Sequence, residues 1–343
     1  MSETKGRPGL MEGGWVLIAA AILLIAVMIW ALAPAVLRMA NRGPGDGMNP
    51  STYGVNIEQP RLPDTAMIRT AMLHRDMVPV LDAPPAILDG QSVAQAVDTK
   101  DQYLVSSDAV IGVSINGDHR AYPIRMLHIH EVIHDTLGEV PIAVTWHWPT
   151  ASPRVFDRRL DGEPHLFGVS GLVGGGNQLL YLRRHASDDP TPPPLVSQWT
   201  GEFVTGPVRT LDQMPASLVA WSDWLQRHPT TSVVHEVVDL EKRYDKGDPN
   251  AYYRSTGLLF NQSDPPAPHA PKDPVAILSA GSETRLISPT SITQAGGTQM
   301  VMVDGHQVVA RLADRPPRIE IEAPPAVRVQ QGLWHAAVHW HTP

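Results

Sequence analysis

The first pattern in the chain is an uninterrupted run of apolar residues near the N-terminus. Residues 13–37 contain no charged side chain and include WVLIAAAILLIAVMIWALA, about the 20 residues that a bilayer core requires. A cleavable signal peptide is the alternative, because Ala31-Leu32-Ala33 resembles a small-x-small cleavage site. The length of the run, and Pro34 directly after that site, favour an uncleaved transmembrane anchor.

This anchor divides the chain into unequal parts. It predicts a tail at residues 1–12, the anchor itself at residues 13–37, a linker at residues 38–59 and one large domain at residues 60–343. Basic residues occur on both sides of the anchor, so the positive-inside rule barely separates the two orientations. A short tail before a single anchor favours a cytoplasmic tail and a domain on the extracytoplasmic side of the cell membrane.

Alternation of apolar and polar residues dominates the domain. Residues 110–115 and 119–123 are β-prone runs separated by Asn116-Gly117, the strongest short signal for a β-hairpin. Residues 141–148 alternate again and predict another strand. Since the chain contains 33 prolines and 27 glycines, and helix-rich folds avoid so much proline, we expect an α+β, β-rich fold of antiparallel sheets with short helices.

Two segments have the spacing of helices. Residues 124–137 predict a helix that ends at Gly138, a residue suited to a helix C-terminus. Residues 217–228 combine a serine cap with an apolar face and stop before Pro229, which predicts a second helix.

A weak internal repeat is also visible. Residues 108–120 align with residues 273–285, and an apolar strand follows each copy, at residues 140–146 and 298–303. The match predicts two related β-rich halves. The general pattern of hairpin sequences explains it equally well.

Charge and cysteine content narrow the possible functions. The net charge of −8 and the lack of a basic run argue against nucleic acid as a partner. The absence of cysteine excludes disulfides, thiolate ligands and thiol chemistry. Histidine occurs 15 times, and imidazole is the commonest metal ligand among side chains.

The most informative group of histidines lies within residues 120–157. His130, His134 and His147 fall on the predicted helix and on the strand after it. Three neutral imidazoles suit copper or zinc, with an open position for water or substrate. The alternative is that these are ordinary structural or surface histidines.

The segment His130 to His134 also matches the HExxH pattern of zinc peptidases. In that pattern two histidines one helical turn apart bind zinc, and Glu131 would activate water as the catalytic residue. The extended pattern fails at Leu137 and Val140, so a peptidase is the least favoured reading. In another type of metal site, Glu131 or Asp135 would hydrogen-bond a ligating histidine and orient it.

A second group of histidines lies at the C-terminus. On a strand, His335, His339 and His341 would share one face, opposite a face of tryptophan and small apolar residues. Beside His147 they would be weaker candidate metal ligands. Otherwise they form the polar face of an edge strand.

Several motifs occur in a characteristic order along the chain. They are MNPSTYG (Met48–Gly54), DAVIGVSINGDHRAYPIRML (Asp108–Leu127), HEVIHDTLGEVPIAVTW (His130–Trp146), VFDRRLDG (Val155–Gly162), LFGVSGL (Leu166–Leu172), Ser197-Gln198 and HPTTSVV (His228–Val234). Together they resemble domain-of-unknown-function family 3179, which consists of membrane-anchored or secreted bacterial and archaeal proteins. The resemblance implies a β-rich, often extracytoplasmic domain without an established activity.

The chain departs from the pattern of that family at informative positions. His147 and Thr150 stand where the resemblance places two cysteines, His134 stands where it places asparagine, and Gly175-Gly176 replaces an Asn-Ser pair. The resemblance implies that any thiol-based function is lost. Two hypotheses remain: a histidine-lined copper or zinc site, or a non-catalytic structural or partner-binding module with a degenerate site.

Overall fold

The computed structural model falls into two units. Residues Met1–Gly43 contact mainly one another, and residues Pro44–Pro343 likewise contact mainly one another. The residues that the structure describes are 14–40, 43–63, 66–96, 103–184, 190–235, 250–260, 265, 267–314 and 316–340.

The first unit contains one helix, α1 (Gly14–Ala40). Its stretch Trp15–Ala33 has a mean hydropathy of 3.0. By length and composition, this helix is able to cross a membrane, a property that it shares with signal sequences near an N-terminus.

The second unit consists of short strands joined by turns and short helices. Its strands are β1 (Ile68–Thr70), β2 (Ala86–Asp89), β3 (Ala109–Ile115), β4 (Asp118–Pro123), β5 (Val132–Leu137), β6 (Val140–His147), β7 (Ser152–Asp157), β8 (Arg159–Leu160), β9 (Glu163–Pro164), β10 (Phe167–Gly174), β11 (Asn177–Leu182), β12 (Leu195–Ser197), β13 (Ala216–Ala220), β14 (Ser232–His235), β15 (Pro274–Ala280), β16 (Glu283–Ile287), β17 (Thr298–Val303), β18 (His306–Asp314), β19 (Pro317–Glu322) and β20 (Arg328–Leu333). Its α-helices are α2 (Gly90–Gln95), α3 (Ile124–His130), α4 (Trp221–Arg227), α5 (Asn250–Arg254), α6 (Pro289–Gln294) and α7 (Trp334–Trp340), and Pro50–Tyr53 and Trp148–Thr150 are 3₁₀-helices. The predicted β-rich α+β class is confirmed.

These strands form five sheets and one small hairpin, β8–β9. The five-stranded sheet has the order β13-β3-β4-β14-β2, and the four-stranded sheet has the order β1-β10-β11-β12. The first meander is β5-β6-β7, the second meander is β17-β18-β19, and the C-terminal sheet is β16-β15-β20. All neighbouring strands are antiparallel except β4 and β14. The hairpin predicted at Asn116-Gly117 joins β3 to β4, and both of its turn residues have positive φ, as such a turn requires.

The order of elements repeats along the chain. The first half consists, in chain order, of β3, β4, α3, the first meander, β13 and α4. The second half has the same order of elements, with β15, β16, α6, the second meander, β20 and α7. In the sheets, β3 lies between β13 and β4, as β15 lies between β20 and β16. The two predicted halves are therefore confirmed, although β17 is the counterpart of β5 and not of residues 140–146. The first half also carries an insertion, β8 to β12, where only residues 323–327 connect β19 to β20.

The insertion covers a face of the first meander. On one face, Val144 and Val155 share a core with the five-stranded sheet. On the other face, Ala143 and Phe156 share a core with the four-stranded sheet, because successive strand residues point in opposite directions. Among the described residues, nothing comparable covers the second meander, and Met300 on its outer face is 72% exposed.

Two expected boundaries differ from the structure. Residues 217–228 do not form one helix, because Ala216–Ala220 pairs with β3 as a strand and α4 starts only at Trp221. Residues 44–59 were expected in the linker, but they belong to the folded unit, where Tyr53 is fully buried.

The packing of α4 on the five-stranded sheet generates a first prediction. A Cβ atom on Gly112 would lie 2.2 Å from the Trp224 ring, which is far inside van der Waals contact. We expect Gly112→Ala to lower the free energy of unfolding by about 1–3 kcal/mol through overpacking, as measured by urea denaturation.

Gly257→Ala is the matched control for this prediction. A Cβ at Gly257 meets no atom within 4 Å, so this change should alter stability by less than about 0.5 kcal/mol. Equal effects of the two substitutions would contradict the packing of Trp224 against Gly112.

Candidate functional site

The helix predicted for residues 124–137 ends early. Its last residue is His130, and Glu131 follows in the left-handed region with φ of +56°. His134 lies on β5 and not one helical turn from His130. The geometry that a zinc-peptidase helix needs is absent, so the predicted peptidase arrangement with Glu131 as catalytic residue is wrong.

The His134 ring connects two loops. Its Nε2 accepts a hydrogen bond of 2.9 Å from the Phe167 N–H, and its Nδ1 lies 3.2 Å from the Leu81 carbonyl oxygen. Burial, together with the charge of Arg158, lowers the pKa of His134 to about 4. The ring is therefore neutral near pH 7, and both of its nitrogens are used within the protein, which leaves no lone pair for a metal.

The three histidines predicted as metal ligands do not meet. His134 pairs with Ala143 on β6, and His147 lies four residues further along that strand, about 13 Å away at about 3.3 Å per residue. His130 contacts the Pro79 carbonyl oxygen through Nδ1. Within the described part of the chain, no group of three or more histidine, aspartate or glutamate side chains is arranged to hold a metal.

Asp135 is engaged on the other face of β5. Its Oδ2 accepts hydrogen bonds of 2.5 Å from Arg120 Nη1 and 2.7 Å from Tyr122 Oη. These contacts tie β5 to β4. The expectation that Asp135 orients a ligating histidine is therefore wrong.

His147 belongs instead to a buried group of polar side chains that links the first meander to the insertion. We call this group the polar centre, and it consists of His147, Thr150, Ser152, Asn177 and Gln198, none more than 3% exposed. Thr150 Oγ1 lies in its middle, 2.8 Å from His147 Nδ1, 2.8 Å from Ser152 Oγ and 3.0 Å from Asn177 Nδ2. Ser152 Oγ in turn donates to Gln198 Oε1 at 3.1 Å.

Local backbone geometry brings these side chains together. Trp148–Thr150 forms one 3₁₀ turn, and Ala151 has φ of +45°, so the chain reverses and Ser152 pairs with His147 across β6 and β7. In a 3₁₀ turn the side chains at i and i+3 lie above one another. The positions that the family resemblance associates with two cysteines, 147 and 150, are thus in direct contact.

The polar centre carries no charge near neutral pH. Burial, together with the charge that His335 would carry, lowers the pKa of His147 to about 3. Burial lowers the pKa of His335 to about 4. Both imidazoles are therefore neutral, as a desolvated site requires.

A buried acid lies beside the polar centre. Gln178 Nε2 donates to Glu131 Oε2, and Glu131 is only 6% exposed. Burial raises the pKa of Glu131 to about 8, so this carboxyl group is protonated near pH 7. Asn177 Oδ1 and Gln178 Oε1 are buried without a hydrogen-bond partner.

The C-terminal segment is a helix and not the predicted strand. Trp334–Trp340 forms α7, on which His335 and His339 are one turn apart. His335 Nε2 lies 3.2 Å from the Pro149 carbonyl oxygen, next to the polar centre. His341, the third predicted residue, lies outside the described residues.

Another segment covers the 3₁₀ turn. Tyr253 Oη donates to the Trp148 carbonyl oxygen at 2.6 Å. The Phe260 ring stacks on His147 with a centroid separation of 6.0 Å. These contacts, with α7, enclose the polar centre from outside.

Most residues of the polar centre were not among the site residues predicted from the sequence. A signal was present in β11, which begins with two amide residues, Asn177 and Gln178, before an apolar run. Buried amides on a strand need hydrogen-bond partners, so this pair points to polar residues on a facing strand. The Ser197-Gln198 motif of the family resemblance supplies another of the side chains.

Comparison with known proteins gives one family. A family model described as "Protein of unknown function (DUF3179)" matches residues 76–326, which is most of the chain and runs from β2 through β19. No curated protein and no solved structure matches the chain.

Glu131 generates a prediction of pH dependence. Its pKa is raised from 4.5 to about 8 in the folded protein, so the folded state holds a proton that the unfolded chain has lost, and stability falls as pH rises toward 8. Between pH 6.5 and 9 we expect the wild-type protein to lose about 2 kcal/mol of unfolding free energy. Glu131→Gln should flatten this decline, measured by urea denaturation at each pH.

This pH range isolates Glu131 from the buried histidines. The lowered pKa values of His134, His147 and His335 destabilise the fold only as pH falls below about 6.5. Glu163→Gln, at an exposed position, should keep the wild-type slope. Parallel curves for the wild type and Glu131→Gln would refute a buried neutral acid.

Proposed function

The chain belongs to the DUF3179 family, and we propose that it is a membrane-tethered, non-catalytic structural or partner-binding module, with its domain on the extracytoplasmic side. In this proposal the polar centre is a structural element. It replaces a more reactive ancestral site, and it joins the insertion to the first meander.

The observation that carries the proposal is the closure of the polar centre. A catalytic group must touch its substrate, but His147, Thr150 and Ser152 are buried, and Phe260 and α7 cover the 3₁₀ turn that contains Thr150. Their polar atoms bond to one another and to the amides of the insertion. A network of this kind fixes one packing arrangement of two sheets, because each buried polar group needs its partner.

Membrane tethering is supported by the apolar helix α1. Its uncharged stretch is long enough for a bilayer. The family resemblance, which implies an often extracytoplasmic domain, supports the proposed side of the membrane.

Thr150→Val tests the structural role of the polar centre. Valine has nearly the same shape but leaves His147 Nδ1, Ser152 Oγ and Asn177 Nδ2 without the Thr150 hydroxyl. We expect a loss of about 1–3 kcal/mol in the free energy of unfolding, measured by urea denaturation of the full chain in non-ionic detergent.

Thr298→Val is the control, because Thr298 is exposed on β17, and we expect it to change stability by less than about 0.5 kcal/mol. Residues kept for activity are often neutral or stabilising when they are replaced. Unchanged or increased stability of Thr150→Val would therefore contradict the structural role.

Metal binding is the second candidate function. One observation favours it: His335 Nε2 lies 3.2 Å from the carbonyl oxygen of Pro149, two residues after His147, and His339 lies one helical turn from His335. Of the predicted ligands, these three would form the copper or zinc site. His335 would first have to release the Pro149 carbonyl oxygen.

Metal analysis of the purified full chain separates the two candidates. If the polar centre is structural, the purified protein should contain less than about 0.1 equivalent of copper or zinc. It should also show no saturable binding of added Zn²⁺ or Cu⁺ with the high affinity that protein metal sites have. If the histidines form a metal site, the protein should contain about one equivalent of metal. The His147→Gln and His335→Gln variants should then lose this metal, and the control variant His306→Gln, in the second meander, should retain it. The second result would replace the structural proposal.

A further inference from the structure

A cavity lies at the junction of the two halves. Its volume is about 550 Å³, within the range of pockets that hold small molecules. β3, β13 and α4 form one wall, and residues 323–327 with Arg328 form the other. One wall therefore comes from the first half, and the other comes from the connection that takes the place of the insertion in the second half.

The charge of this cavity differs from that of the chain. The chain has a net charge of −8, yet the described residues that line the cavity include Arg227, His228 and Arg328 and neither aspartate nor glutamate. Burial lowers the pKa of His228, so the two arginines supply the positive charge. A concave surface with one sign of charge concentrates ligands of the opposite sign.

Arg328 is held by uncharged acceptors. Its Nε donates to Gln213 Oε1 at 2.9 Å, and its Nη2 lies 3.4 Å from the Thr200 carbonyl oxygen. Burial lowers the pKa of Arg328, and the charge of Glu202 opposes this shift, but the two side chains form no ion pair in the described structure. The guanidinium is thus positioned at the cavity wall without a bound carboxylate.

A second guanidinium lies near the first, because Arg154 Nε bonds to the Trp199 carbonyl oxygen and Arg328 Nη2 lies near that of Thr200. Arg154 is 1% exposed, and the charge of Arg328 acts on it. Its Nε and Nη1 donate to the carbonyl oxygens of Trp199, Pro153 and Gln331, whereas Nη2 is buried without a partner. Burial lowers the pKa of Arg154 to about 9. Two neighbouring cations without an anion between them are unfavourable in a desolvated region.

We propose that this cavity binds a small organic oxyanion, a molecule with a carboxylate or phosphate group on an apolar body. The oxyanion would lie against Arg328, whose planar fork of donors matches such groups. The nearby charge of Arg154 strengthens the attraction. The apolar body would lie on Met214 and Pro324, which are half-buried and line the same cavity. This site is independent of the role proposed for the polar centre.

Binding of two probes to the full chain in non-ionic detergent tests the proposal. The probes are benzoate and inorganic phosphate, each added up to about 10 mM at low ionic strength, with calorimetry and tryptophan fluorescence as readouts, because Trp224 lines the cavity. We expect saturable one-to-one binding of at least one probe. Arg328→Gln should weaken it at least about tenfold, as expected for loss of a charged hydrogen bond.

Arg285→Gln is the matched control. Arg285 is an exposed arginine on β16 that pairs with Glu283, and its replacement should change affinity by less than about twofold. Since Arg328 is exposed enough to be replaced without opening a core, near-ultraviolet circular dichroism should show a folded variant.

Each outcome of the titration is decisive. Benzoate binding alone supports a carboxylate ligand, phosphate binding alone supports a phosphorylated ligand, and binding of both supports a general oxyanion site, provided that Arg328→Gln weakens it. No saturable binding of either probe, or binding that is equal in Arg328→Gln and the wild type, overturns the proposal. Neither result bears on the Thr150→Val experiment, so the two proposals fail separately.

Discussion

The burial of the first meander on both faces is the constraint on which the rest of the structure depends. The first meander is a small sheet of three strands. One of its faces packs on the five-stranded sheet, and the other packs on the insertion. Polar side chains at the turn between β6 and β7 therefore cannot reach water. They must satisfy one another, since an unpaired buried polar group is destabilising. The hydrogen bonds of Thr150 and the neutral state of His147 follow from this constraint.

Features with a local cause could be predicted from the sequence. The turn at Asn116-Gly117 and strand β6 follow from residue type and alternation, and α1 follows from its uninterrupted apolar run. The two halves were visible because β3 and β15 carry similar hairpin patterns. The insertion could not be recognised in the sequence, because its strands have the same alternation of apolar and polar residues as the other strands. Their partner strands, such as β1, are also distant in sequence.

The candidate site was harder to predict because spacing along a chain does not give direction in space. His130 and His134 have helical spacing, but the positive φ of Glu131 ends the helix between them. A non-glycine residue in that conformation is stabilised only by its surroundings. The polar centre has the opposite property: Ser152, Asn177 and Gln198 are far apart in sequence and become a group only when three segments meet. The C-terminal segment was predicted as a strand for a similar reason. Its residues alternate between polar and apolar, but the tertiary contacts of α7 stabilise a helix instead.

The repeat explains why the molecule has two different candidate regions. In the first half, the insertion after β7 encloses polar side chains and closes the polar centre. In the second half, a five-residue connection takes its place, so space remains against β3 and β13, and a cavity results. Arg154 connects the two regions, because it follows Ser152 by two positions on β7 and its guanidinium reaches the Gln331 carbonyl oxygen of β20. A cation at this junction holds three chain segments through their carbonyl oxygens, and its charge remains uncompensated by any ion pair in the described structure. The same residue thus stabilises the junction of the halves and makes the adjoining cavity attractive to an anion.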